Sequence, residues 1–166
     1  MQAMAAALAL LLLGGLLANA AAPARAASTA NFVKTFPRGW CGIYMWRGGT
    51  LRQQFSVVFT KLRTLPDGRV EATGNGLIGI PGRRYPIKVR ATIEPATLRI
   101  ELWEIRDVPD TADFTTDGSH IGRLSADRQH IRAVWTQNGT GAKGDLALNA
   151  RPVEGPIAKL CSEAVA

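Results

Sequence analysis

Between Trp40 and Arg151 the chain alternates apolar and polar residues in eight short runs, each joined to the next by a compact turn. A period of two puts successive side chains on opposite faces of a strand, so each run predicts a strand with one dry and one wet face. Arg84 to Ile93 shows this most clearly, with Tyr85, Ile87, Val89, Ala91 and Ile93 on one side and Arg84, Pro86, Lys88, Arg90 and Thr92 on the other. Phe55, Val57 and Phe59 share a face of Leu51 to Arg63, and Val70, Ala72, Gly74, Gly76 and Ile78 share one of the next run. Leu98, Ile100 and Leu102 do so in Thr97 to Ile105. Trp40 to Trp46, Ser119 to Leu124, His130 to Gln137 and Lys143 to Arg151 complete the set, and no helical period is sustained.

Turn chemistry separates the runs, as in Leu65-Pro66-Asp67-Gly68 and Asn138-Gly139-Thr140-Gly141. Every connection except 106–118 has hairpin length, so neighbours in sequence become neighbours in the sheet. An open meander of eight strands would expose two unpaired edges, and closure removes both. The expected fold is all-β, a single antiparallel up-and-down eight-stranded barrel preceded by a cleavable signal peptide.

Trp40-x-Gly42-x-Tyr44 opening the first strand, the eight-strand meander and the late Trp135 resemble the calycin group, with its lipocalin and avidin branches. Gly39 and Trp40 are adjacent here, whereas the usual lipocalin opening is Gly-x-Trp, and no avidin-type biotin ligand set can be placed. The resemblance implies a cup with one open end that binds something small or presents loops.

Strands running up and down sort the connections by end. Those at 47–50, 79–84, 106–118 and 138–142 share one end and are longer and richer in Gly, whereas those at 64–68, 94–97 and 125–129 are tight turns. The mouth is therefore expected at the first end, here termed the odd-loop end, with Trp40 plugging the other. Alternation points Tyr44, Trp46, Gln53, Phe55, Tyr85, Glu104, His120, Trp135 and Gln137 inward near that mouth, an aromatic-walled set with a few polar groups that suits a small ligand. The same aromatics would equally serve to fill a barrel core. Gly74 and Gly76 either leave space or mark a bulge needed for closure.

The N-terminus changes the setting. Leu8 to Leu17 is apolar apart from Gly14 and Gly15, too short to span a bilayer, and Ala24-Arg25-Ala26 is the preferred cleavage site. Residues 1–26 are read as a signal peptide although they lack a basic start, 27–38 as a flexible segment, 39–151 as the barrel and 152–166 as a tail. Cleavage leaves about 140 residues, a one-domain length, and loss of Arg25 lowers the formal charge from +7 to +6. Cys41 and Cys161 lie at opposite ends of the domain, which in an oxidising compartment suggests a bridge tying the tail to the first strand; two buried free thiols are the alternative. The basic residues are scattered, as on a solvated exterior or one attracted to anionic envelope lipids or polysaccharides. Export and the lack of a stacking motif disfavour nucleic acid, and no transmembrane anchor is expected after processing.

Little here identifies a reaction. Glu104 and His120 are candidate cross-strand neighbours, and a carboxylate beside an imidazole can do acid–base work, but no Ser or Cys sits in a nucleophile elbow. Asp107, Asp110, Asp113 and Asp117 make the long loop acidic without an EF-hand spacing, and they are expected to pair with rim residues Arg47, Arg83 or Arg84. No metal or cofactor is expected. The first reading is a periplasmic or secreted non-enzymatic binding module. A protein–protein module such as an enzyme inhibitor, using Ser28 to Arg38 or loop 106–118, is the second, and an enzyme built on Glu104 and His120 the third.

Overall fold

The computed structural model describes residues 28–105 and 116–161. The signal peptide read over 1–26, and Asp107, Asp110 and Asp113 in the long loop, lie outside the described residues. Eight strands follow in order: β1 (Gly39–Trp46), β2 (Arg52–Thr64), β3 (Val70–Ile80), β4 (Arg83–Glu94), β5 (Arg99–Ile105), β6 (Gly118–Leu124), β7 (His130–Gln137) and β8 (Lys143–Arg151). Each pairs antiparallel with the next, and β1 also pairs with β8, so the sheet closes. The dry faces converge on one core running from Trp40 and Phe59 through Val89 and Leu102 to Trp135.

Three local departures from the alternation have physical causes. Register shifts between Phe59 and Lys61 through a β-bulge at Thr60, whose hydroxyl donates to the Thr73 carbonyl at 3.3 Å. Gly74 faces the bulge, and a Cβ there would lie 2.0 Å from the Val58 carbonyl oxygen, so it admits a close backbone approach. At Gly76 a Cβ would meet the Ile87 and Val89 side chains at 2.7–3.0 Å. Neither glycine leaves space for a ligand. Leu98, expected on the inward face of β5, belongs instead to the preceding turn, with φ +59° and its side chain partly buried.

The largest difference precedes β1. Residues 28–35 are helical, where a flexible segment was expected. Phe32 and Phe36, one turn apart, are buried against Trp40 and Phe59, with Phe36 centroids 5.6 and 5.9 Å from theirs. This helix, α1, lies across the tight turns: Arg128 stacks on Phe32 at 4.9 Å and donates to Thr35, while Ser28 and Thr29 border Gly68 and Pro95. The plug at that end is thus α1 seated on Trp40, whose indole N–H donates to the Pro37 carbonyl at 3.0 Å. Residues 28–36 of the Ser28 to Arg38 segment are thus docked on the plugged end of the barrel.

Past β8, a short 3-10 turn at Ile157–Lys159 leads to Cys161, bonded to Cys41 across a separation of 120 residues. The outer wall of β1 and β2 is covered there, and Ser56 donates to Cys161 Sγ at 3.0 Å in a buried contact. Among the described residues no helix is long and apolar enough to cross a membrane.

Candidate functional site

At the odd-loop end the barrel wall brings the predicted inward residues together. Tyr44 and Trp46 come from β1, Gln53 and Phe55 from β2, Glu104 from β5, His120 from β6 and Trp135 from β7, each at an inward position of its strand. Tyr44 packs edge-on against Trp46, His120 and Trp135 at 5.8, 5.8 and 6.2 Å, and Trp46 meets Trp135 at 4.9 Å. Edge-to-face contacts at these separations hold aromatic rings in fixed relative orientation. Phe55 closes the base of the group, 5.6 Å from the His120 ring, and Tyr85 on β4 is half-buried against the same core.

Polar chemistry is concentrated in one pair. His120 Nε2 lies 2.5 Å from Glu104 Oε1, with side-chain exposures of 0% and 6%. The strand register explains how they meet: Leu102 stands opposite His120, so Glu104 is its diagonal neighbour on the same face. A carboxylate holding one ring nitrogen fixes the orientation of the imidazole and directs Nδ1 elsewhere. Neither Nδ1 nor the buried Tyr44 hydroxyl has a hydrogen-bond partner among the described residues. Burial, reinforced by the negative charges of Glu104 and Asp145, pushes the Tyr44 hydroxyl well above its ordinary pKa, so at neutral pH it keeps its proton and is available as a hydrogen-bond donor.

Two glycines that alternation alone does not single out shape this group. A Cβ at Gly144 would lie 2.2 Å from the Tyr44 hydroxyl oxygen, and one at Gly118 would lie 2.6 Å from the Trp135 ring. Both occupy inward positions of their strands, so an inward glycine facing an aromatic was the available signal.

Other expected members stand apart. Gln137 is tied into the rim turn, donating to Asp117 at 3.2 Å and accepting from Thr140 at 2.8 Å. Arg47, one of three arginines offered to the acidic loop, forks onto Asp145 of β8 on the outer wall, with contacts of 2.7 to 3.2 Å. Arg83 and Arg84 border a cleft outside the barrel together with Arg52.

A closed eight-stranded antiparallel barrel plugged at one end by a short helix fits a calycin-like fold. No protein-family model matches the chain, and no curated protein matches it.

Proposed function

We propose that this protein is an exported, non-enzymatic binding module that holds a small, partly apolar ligand inside the odd-loop end of its barrel. Trp46, Tyr85 and Trp135 form the walls, and Tyr44, Glu104 and His120 orient the ligand's polar group. The observation that carries this reading is the pair of unpartnered polar atoms, Tyr44 Oη and His120 Nδ1, buried within an aromatic enclosure. Buried polar atoms are nearly always hydrogen-bonded, so a donor and a ring nitrogen left without a protein partner suit a ligand or ordered water that completes them. Export is supported by the Cys41–Cys161 bridge and the apolar N-terminal run.

Native mass spectrometry of protein purified from its own source tests the reading. A retained small molecule that is displaced by the neutral probe N-phenyl-1-naphthylamine, and lost in Trp46→Ala, is the expected result. Protein that carries nothing and does not bind the probe would refute it.

The 2.5 Å Glu104–His120 contact also favours a second reading, general acid–base catalysis. Against it, the two cysteines are bonded to each other, and Ser119 projects to the opposite face from His120. A Glu104→Gln variant that binds ligand with altered affinity and shows no turnover change separates the two.

A further inference from the structure

On the outer wall at the odd-loop end, between β2 and the β3–β4 hairpin, lies a cleft of about 570 Å³ bordered by Arg52, Gln54, Gly79, Pro81, Arg83 and Arg84. Register sets Gln54, Gly79 and Arg84 in one row across β2, β3 and β4, and directly opposed residues of antiparallel strands share a face. Gly79 leaves a gap in the middle of that row. Unlike Gly74, it is not forced by backbone crowding, because a Cβ there would meet Gln54 only at an ordinary 3.5 Å. Arginine side chains thus rise on both sides of an empty floor.

Electrostatics sharpens the picture. Elsewhere on the exterior Arg47, Arg63 and Arg69 each rest on a carboxylate. Among the described residues Arg52 and Arg84 have no such partner, and no acidic side chain borders the cleft. Arg52 and Arg84 repel each other across the cleft, and an anion between them relieves this. A planar carboxylate satisfies a single guanidinium fork, whereas a tetrahedral oxyanion presents oxygens to both walls at once. The volume far exceeds that of a free ion, leaving room for a larger body over Ile80 and Pro81.

We propose that this cleft binds the phosphate group of a larger molecule, with Arg52 and Arg84 as opposing clamps and Gly79 as the floor. The site lies outside the barrel and does not depend on the interior ligand.

The purified, disulfide-bonded protein is titrated with glucose 6-phosphate by calorimetry, with glucose as the neutral control, and in parallel with phosphatidylglycerol–phosphatidylcholine vesicles by co-sedimentation. A saturable response in either arm is expected, and the responding arm identifies a soluble phosphate ester or a lipid headgroup as the source. Arg52→Gln/Arg84→Gln weakens it at least about tenfold, as does Gly79→Glu, which supplies a carboxylate to the gap. Arg123→Gln/Arg132→Gln removes the same charge from paired positions on β6 and β7 and changes it by less than about threefold. Circular dichroism melts confirm that each variant is folded. No response in either arm, or equal loss in the two double variants, overturns the proposal.

Discussion

Breaking the Glu104–His120 pair one side at a time, and then both sides together, gives a decisive pattern of stabilities. In Glu104→Met the imidazole keeps its place, fully enclosed, but loses the oxygen 2.5 Å from Nε2. A buried group stripped of its partner retains its desolvation penalty, which amounts to about 3 kcal/mol for a side chain this dry. His120→Leu strands the carboxylate in the same way, at a similar cost of about 3 kcal/mol. The double variant replaces both with apolar side chains of comparable volume, packed among Phe55, Tyr44 and Trp135, and should fall within about 1 kcal/mol of the parent. The coupling energy is then about 5 kcal/mol, above the roughly 0.5–3 kcal/mol usual for residues in contact, because each single variant strands a buried polar group that the double variant removes. Urea unfolding followed by far-ultraviolet circular dichroism measures all four corners, because Trp135 fluorescence would report the site as well as the fold. Single variants that each cost less than about 1 kcal/mol and add in the double would show a solvated pair, and the reasoning would fail.

Phe36→Ala removes the ring that joins Phe32, Trp40 and Phe59. It should cost about 3 kcal/mol, about 10 °C in melting temperature, and expose residues 28–38 to limited proteolysis; an unchanged melt would show that α1 is not part of the core. Cys41→Ser/Cys161→Ser opens a loop closed over 120 residues, and the chain-entropy model gives a loss of about 5 kcal/mol, measured by denaturant unfolding against the oxidised parent. Acid should destabilise the exterior. Hydrogen bonds from Arg47 hold the Asp145 carboxyl below its ordinary pKa; Ser125 does so for Asp127, Arg63 for Glu71, and the Arg69 backbone and side chain for Asp67. Depressed carboxylate values contribute stability that is complete above the unfolded-state pKa and lost as pH falls through the folded one, so the melting temperature should drop below about pH 4. Asp145→Asn should flatten part of that decline, and a melting temperature that rises on acidification would contradict the sign.

Much of the barrel was legible in the sequence because one face of each strand is dry. Tyr85 to Ile93 on β4 and Ile131 to Trp135 on β7 could only alternate as they do with a single buried side, and β7 and β8 run over the residues that alternation assigns. Position within a turn is less legible. Leu98 adopts a left-handed backbone that its side chain does not favour, held by its N–H donating to Glu94 and its carbonyl accepting from Leu124. The helix is illegible for a different reason, since residues 28–36 offer only Phe32, Val33 and Phe36 as large apolar positions, too few to establish a period. Alternation pointed both Glu104 and His120 inward, but their contact depends on stagger between β5 and β6, which the long connection does not encode. Charge alone offers Arg47, Arg83 or Arg84 to the acidic loop, and the sequence does not encode that β8 places Asp145 beside the Arg47 guanidinium.

The four tryptophans sit at three separate places, so their indole N–H signals form a built-in map of ligand position. Trp40 marks the plugged end, Trp103 lies on the outer wall beneath Arg90, and Trp46 and Trp135 stand together at the odd-loop end. Nitrogen-15 spectra recorded while N-phenyl-1-naphthylamine is added should shift Trp46 and Trp135 and leave Trp40 and Trp103 in place. Signals that stay fixed throughout, or a response led by Trp40 or Trp103, would contradict a binding site inside the barrel.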